Sequence, residues 1–328
     1  MNTLDKNKFA TSSDLSETKQ RQAALQGIEN KYWIKIDGTD FLYKIDRVYM
    51  FGFAELFYSY VCNKLGMECV NAYPAHDKNE DTKGVIIESY ILDKKANVPL
   101  KEFLQDKMQR RYLAGETFYS YDEFIKNLSK VQQEQGFVLE KGFLSKIKKM
   151  ILLDFLLGNE DRHFYNIEVY VEKNLFGRTR VSLAPLFDNG MSLALRQLAK
   201  GDLDYEEFKY IMPTFGFYTD DPKMKFASPA EKFAYGCAKQ LESDPELKAF
   251  YEQIKSLNLR AELEYVSRVS GYELADYKIE YITRFLEYRI DVLDHIMEKD
   301  YSQPSQDEQD YFNLDEDEYY DFFGVSRD

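Results

Sequence analysis

The sequence predicts an α+β fold of two lobes, a small β-rich one followed by a larger, mostly helical one. Three observations point there. Up to about residue 95, segments rich in aromatic and β-branched residues surround a single helical pattern. After Pro99, apolar residues recur at helical spacing almost throughout. The exception inside that helical half is a two-strand pattern over residues 166–187.

In chain order, residues 1–30 are polar, and SSDLSETKQRQAALQ reads as an N-terminal helical extension with a Ser or Asp cap. KYWIKID and FLYKID read as a hairpin joined at Gly38-Thr39-Asp40. FGFAELFYSYVCNKLGM carries apolar residues at 53, 57, 60, 61 and 65, a helical spacing that Gly66 stops. CVNAYPA and GVIIESYIL supply two more strands and complete a first lobe over 31–95. The second lobe, 96–300, opens with helical patterns in LKEFLQDKMQRRYL, YDEFIKNLSKVQQEQ and FLSKIKKMILLDFLL. NIEVYVEKNLFGRTRVSLAPLF then reads as two strands turning near Gly177. Residues 190–230 are irregular, with Pro213, Pro222 and Pro229, and 231–299 are helical again.

Of 328 residues, 57 are acidic and 43 are Lys or Arg, a net charge of −14 that argues against a nucleic-acid binder or a protein held on anionic membrane. The tail, 301–328, holds nine acidic residues and one basic one, yet it is aromatic at 311, 312, 319, 320, 322 and 323. Three scattered cysteines and three histidines offer no metal-ligand spacing and suit a reducing compartment. No signal peptide or bilayer-length apolar run is visible, so a cytoplasmic protein is expected.

The chemistry concentrates in DFLLGNEDRHFYNIEVYV and the later APLFDNG. Phosphoryl transfer needs a metal held against the phosphates, a cation on them, and a carboxylate beside the attacking hydroxyl. In kinases a loop after a buried helix supplies an Asp and, five residues on, an Asn; a hairpin then delivers a second Asp. Asp161, Asn166 and Asp188 stand in that order. Asp161 is expected to orient or deprotonate the acceptor, and Asn166 and Asp188 to hold Mg2+. The pair Asp161 and Asn166 alone is a weak signal, equally suited to a turn cap and an Asx-turn. The joint pattern of helix, loop, hairpin and second Asp is far more specific.

NEDRHFYN together with PLFDNGMSL resembles the catalytic and metal-binding segments of HipA-like serine/threonine kinases, the toxins of bacterial toxin–antitoxin pairs. DRHFYN is also similar to the loop of phosphoinositide 3-/4-kinases. The resemblance implies a two-lobed protein-kinase-like fold, ATP and Mg2+ as cofactors, a protein substrate, and an antitoxin partner. It is to the short, single-kinase-domain type, because only about 30 residues precede the first strand. It implies Lys44 as the strand lysine for the phosphates and Glu55 as its helix partner, with Lys35 as the runner-up for Lys44. The bland alternatives are a solvated strand lysine and a dipole-favoured helix acid. Backbone groups near Glu88, Ser89 and Tyr90 are expected to meet the adenine. The turn at 37–40 is expected to cover the nucleotide without a glycine-rich run, with Thr39 as an autophosphorylation candidate. His163 either orients the acceptor or stabilises charge, or it braces the loop; Arg162 either pairs with an acid in the loop or contacts phosphate. The lysines at 146–149 are expected on the outer face of their helix. A lipid or small-molecule kinase and a pseudokinase interaction module are the competing readings.

Overall fold

The computed structural model describes residues 21–22, 31–36, 38–46, 49–77, 82–91, 95–104, 111–113, 116–173, 177–201, 205–218, 226 and 228–298. The acidic tail lies outside them, as does most of the expected N-terminal helix. Within that stretch, Arg21–Gln22 is a short strand (β1), not helix, because it pairs antiparallel with Tyr32 and Trp33 at the edge of a sheet. Sheet pairing here overrides a local helical preference.

The first lobe is one antiparallel sheet in the order β1-β2-β3-β5-β4. Its other strands are β2 (Lys31–Ile36), β3 (Thr39–Ile45), β4 (Ala72–Asp77) and β5 (Thr82–Glu88). The β2–β3 turn is tighter than expected: Thr39 and Asp40 already belong to β3, and Gly38 turns the chain at φ 82°. Strand alternation then assigns the faces. Ile34, Tyr43, Ile45, Ala75 and Ile86 form a small cluster on one side. Leu42, Lys44, Val85 and Ile87 therefore turn to the other, toward the second lobe.

Helix α1 (Phe51–Leu65) links β3 to β4 and is buried on nearly every side, Glu55 included. It ends at Gly66, whose φ of 68° lets its N–H cap the last turn. The helix is clamped to the second lobe. Lys64 meets Glu262 at 3.1 Å, Tyr60 bonds the same carboxylate, and Tyr272 bonds Asp46 just past β3.

The second lobe is mostly helical, as read. Helices α3 (Tyr121–Gln135) and α4 (Phe143–Leu157) match their patterns. LKEFLQDKMQRRYL differs: its described residues hold α2 (Leu100–Phe103) and a strand, β7 (Arg111–Leu113), that pairs with β8 (Glu116–Ser120). The expected hairpin is β10 (Glu168–Lys173) with β11 (Thr179–Leu183). Two short strands the patterns hid flank it, β6 (Ala96–Pro99) and β9 (Val138–Leu139), in the order β6-β10-β11-β9. The irregular stretch holds α5 (Leu195–Lys200), a 3-10 turn at Tyr205–Tyr210, and β12 (Phe215–Gly216).

Four helices close the lobe: α6 (Pro229–Ser243), α7 (Pro245–Lys255), α8 (Leu259–Val269) and α9 (Asp276–Glu298). Ser228, Asp244 and Asn258 cap the first three through the N–H groups of Glu231, Leu247 and Ala261. One continuous apolar core joins α1, the inner sheet face and the second lobe. No helix among the described residues is long and apolar enough to cross a membrane.

Candidate active site

Three segments distant in sequence meet where the lobes join. Lys44 Nζ lies 2.5 Å from Glu55 Oε1 and 2.7 Å from Asp188 Oδ1. Strand β3 supplies the lysine because Tyr43 and Ile45 occupy the opposite face. Helix α1 supplies Glu55 from its second turn, and the chain after β11 supplies Asp188. The other Glu55 oxygen accepts from the Asn189 N–H at 3.0 Å, so one buried carboxylate holds both the lysine and the backbone beside Asp188. Asp188 sits at φ 54°, in the left-handed region that costs a non-glycine residue energy. A Cβ on Gly190 would stand 3.1 Å from Phe51 Cβ, so glycine here permits close approach to α1 and is more than a turn signal. The Lys44 ammonium holds the Asp188 carboxyl well below the usual carboxylate range, against the opposing effect of burial, with Lys31 adding to the same side.

The loop after α4 is braced from beneath. Asp154 is fully buried in the apolar run of α4 and accepts from Tyr58 Oη at 2.7 Å, Asn159 Nδ2 at 3.0 Å and Arg162 Nε at 2.9 Å. Arg162, also fully buried, donates onward to the carbonyls of Asn166 at 3.0 Å and Phe187 at 2.7 Å, and to Asn189 Oδ1. A single guanidinium thus ties the Asp161–Asn166 loop to the Asp188 loop. Of the two roles open for Arg162, pairing with an acid is the one formed, but the acid is Asp154 of α4 and not one in the loop. At zero exposure the guanidinium presents nothing to a phosphate.

Above this brace, Asn166 Nδ2 donates to the Asp161 backbone oxygen at 2.8 Å and to Asp161 Oδ2 at 3.0 Å. His163 Nε2 stands 3.5 Å from Asp161 Oδ1, while its Nδ1 is buried without a partner among the described residues. The His163 N–H and carbonyl each close a short turn of the loop, so it braces the backbone while facing Asp161 with its ring. The Asp161 side chain is 43% exposed. Burial of its inner side pushes its carboxyl up from the ordinary value, the nearby His163 pulls it down, and the Asp188 charge adds to the rise.

A cavity of about 340 Å³ opens beside Lys44 and Asp188. Trp33 and Leu42 line it from the sheet, Glu88, Ser89, Tyr90 and Ile91 from the link between lobes, and Glu168 and Phe187 from the second lobe. Tyr90 stacks on Phe187 with centroids 5.2 Å apart, and its carbonyl accepts from Tyr170 Oη at 2.6 Å. The Glu88 carboxylate turns aside to Asn71 Nδ2 at 2.9 Å. Lys35 is not at this site; it is 62% exposed and pairs with Asp40 at 3.5 Å.

The turn at Gly38-Thr39-Asp40, expected to cover the nucleotide, stands at the end of β3 away from Lys44. Asp40 O accepts from Ser89 N at 2.9 Å, which puts the turn beside the inter-lobe link, five residues along β3 from Lys44. Thr39 is correspondingly remote from Asp188. The lysines at 146–149 are not a plain solvated face: Lys146 meets Glu68 and Glu140, Lys148 meets Asp244, and Lys149 meets Glu246.

Sequence reading missed Asp154, Tyr58, Asn189, Lys31 and Trp33. Asp154 had a signal, a lone charge in an apolar helical run, which demands a buried partner. Lys31 and Trp33 had one only once the hairpin register was known.

Against solved structures, the chain is similar to the Helicobacter pylori proinflammatory kinase CtkA, at 17% identity and a TM-score of 0.52. That match covers 82% of this chain and 94% of the other. The chain has a two-lobed kinase fold. HipA from Shewanella oneidensis, in its complex with HipB and operator DNA, aligns at 12% identity and a TM-score of 0.42, over 85% of this chain and 68% of that one. No family model matches the sequence, and no curated protein does. The kinase fold expected from the Asp161 loop is the fold found.

Proposed function

We propose that this chain is an ATP- and Mg2+-dependent kinase that passes the γ-phosphoryl group to a Ser or Thr hydroxyl of a protein. The observation that carries it is the meeting of Lys44, Glu55 and Asp188 beside one cavity, with Arg162 fastening the Asp161–Asn166 loop to the same place. Lys44 would bind the phosphates, and Glu55 keeps it aimed. Asp161, exposed on one side, would orient an incoming hydroxyl and take its proton as the new O–P bond forms and the bond to the ADP leaving group breaks.

Among the described residues, no group of three His, Cys, Asp or Glu could hold a metal by itself. The donors present are a carboxylate on Asp188 and an amide oxygen on Asn166. Such a pair suits Mg2+, which takes its remaining ligands from phosphate oxygens and water. Asp188 and Asn166 would hold the ion beside the nucleotide, where it would supply positive charge against the charge developing on the phosphoryl group. Intact ion pairs at Lys44 and Asp188 support catalysis over the pseudokinase alternative.

Incubation with γ-labelled ATP and Mg2+ tests this, offering a bacterial lysate and, separately, inositol lipids. Label is expected on Ser or Thr of the protein itself or of lysate proteins, and absent with Asp161→Asn and Asp188→Asn. Undiminished label in both variants would falsify the assignment; label on lipid alone would shift it to a lipid kinase. A toxin role countered by an antitoxin-type protein belongs to the same proposal. Induced expression in bacteria should then arrest growth with the wild type and not with Asp161→Asn, and arrest by both would overturn it.

A further inference from the structure

Lys31 and Lys44 stand directly opposite each other on the antiparallel β2–β3 pair. Side chains so placed have Cβ atoms about 4.5–5.5 Å apart, and like charges there repel. Both nonetheless turn to one face and line one cavity. Both also approach one atom, Asp188 Oδ1, from 2.7 Å for Lys44 and 3.9 Å for Lys31. Neither is an ordinary solvated lysine, since their side chains are 5% and 13% exposed, against 62% for Lys35 on the same strand face.

Charge balance says what such a pair accepts. Two lysines against Glu55 and Asp188 sum to zero, but the carboxylates are not equivalent. Glu55 is committed to Lys44 and the Asn189 N–H. The ion pair recorded for Lys31 is with Asp188, the residue assigned above to the metal. Once Asp188 turns to a divalent cation, Lys31 is left largely buried without its carboxylate. A buried cation in that position is costly unless another anion replaces the lost one. The oligophosphate of a nucleotide is that anion. It also makes binding of metal and nucleotide mutually dependent, since metal alone would leave the cluster with two excess positive charges.

We propose that Lys31 is a second phosphate-binding lysine, exchanging Asp188 for the phosphate chain of a nucleoside di- or triphosphate. This rests on the nucleotide reading of the site. Trp33 supplies the readout: it is the one tryptophan of the chain, two residues along the same strand face, and it lines the same cavity. The full chain is titrated with Mg-ATP, Mg-ADP and adenosine while Trp33 fluorescence is followed. A hydrogen bond to a charged group contributes about 1.5–3 kcal/mol, so Lys31→Met should bind both nucleotides roughly ten- to hundredfold more weakly. Adenosine, lacking phosphate, should bind it as it binds the wild type. Lys31→Arg should restore most of the loss, and Lys35→Met should match the wild type. Unchanged nucleotide affinity in Lys31→Met overturns the proposal, and so does a loss shared equally by adenosine, which would mark a packing role. Wild-type protein that binds none of the three, by fluorescence and by equilibrium dialysis, overturns the nucleotide reading itself.

Discussion

Removing the buried pair beneath the site should separate what holds the fold from what holds the active geometry. Asp154 and Arg162 both have zero exposure and meet at 2.9 Å. Breaking such a pair from one side leaves an uncompensated buried charge, at a cost of about 3–5 kcal/mol. Asp154→Leu strands the guanidinium and also frees Tyr58 and Asn159 from their acceptor. Arg162→Met strands the carboxylate and leaves the carbonyls of Asn166 and Phe187 without their donor. Independent effects would sum to about 6–10 kcal/mol, comparable with the whole stability of a domain. In the double variant the charges vanish together. The groups it orphans, at about 1–3 kcal/mol each, are the same ones the single variants orphan. They cancel from the comparison, and only the charge contribution is left. The double variant's destabilisation should therefore fall well short of the sum, by several kcal/mol, although the proposed phosphoryl transfer should stay lost because nothing fastens the two loops. Urea unfolding of the wild type and the three variants, followed by Trp33 fluorescence, measures the cycle. Additivity within about 0.5 kcal/mol would refute direct coupling, and restored activity in the double variant would refute the role given to the guanidinium.

Gly158 ends α4 at φ 65°, and a Cβ there would collide with the Phe285 ring. Gly158→Ala should cost at least about 1–3 kcal/mol from backbone strain and overpacking, read as a lowered urea midpoint; an unchanged midpoint would mean the turn relaxes. Asp244 caps α7 and meets Lys148 at 2.9 Å. Burial nudges its carboxyl up, but the Lys148 ammonium and the Leu247 N–H outweigh it and set the folded pKa below the ordinary 3.8. Its contribution is thus complete above the unfolded pKa and is lost as pH falls below about 4. Asp244→Asn keeps the cap, so at pH 7 it should be less stable by only about 0.2–1 kcal/mol. That gap should narrow steadily as pH falls below about 4; a gap that stays constant through the acid range would contradict the linkage.

Helices α1, α3 and α4 and the β10–β11 hairpin were legible: α3 buries one face and prints its spacing on the chain, while α1 and α4, buried on most sides, stand out as long apolar runs. The order of Asp161, Asn166 and Asp188 was legible because it follows from those elements: a buried helix, a loop, a hairpin, another loop. Two kinds of feature were not. The short strands β6, β7, β9 and β12 carry too few residues to show a period, and exist because a distant partner supplies their hydrogen bonds. Arg162 offered two roles in sequence, and only the burial of Asp154 below it chose between them.

The sequence by itself determined which residue types were present and in what order they would reach the cleft. Register and burial were decided by tertiary structure alone. A turn shifted by one residue exchanges the faces of a strand. That shift is what separates Lys31 beside Asp188 from a lysine in water, and residues far apart in the chain fix it by packing.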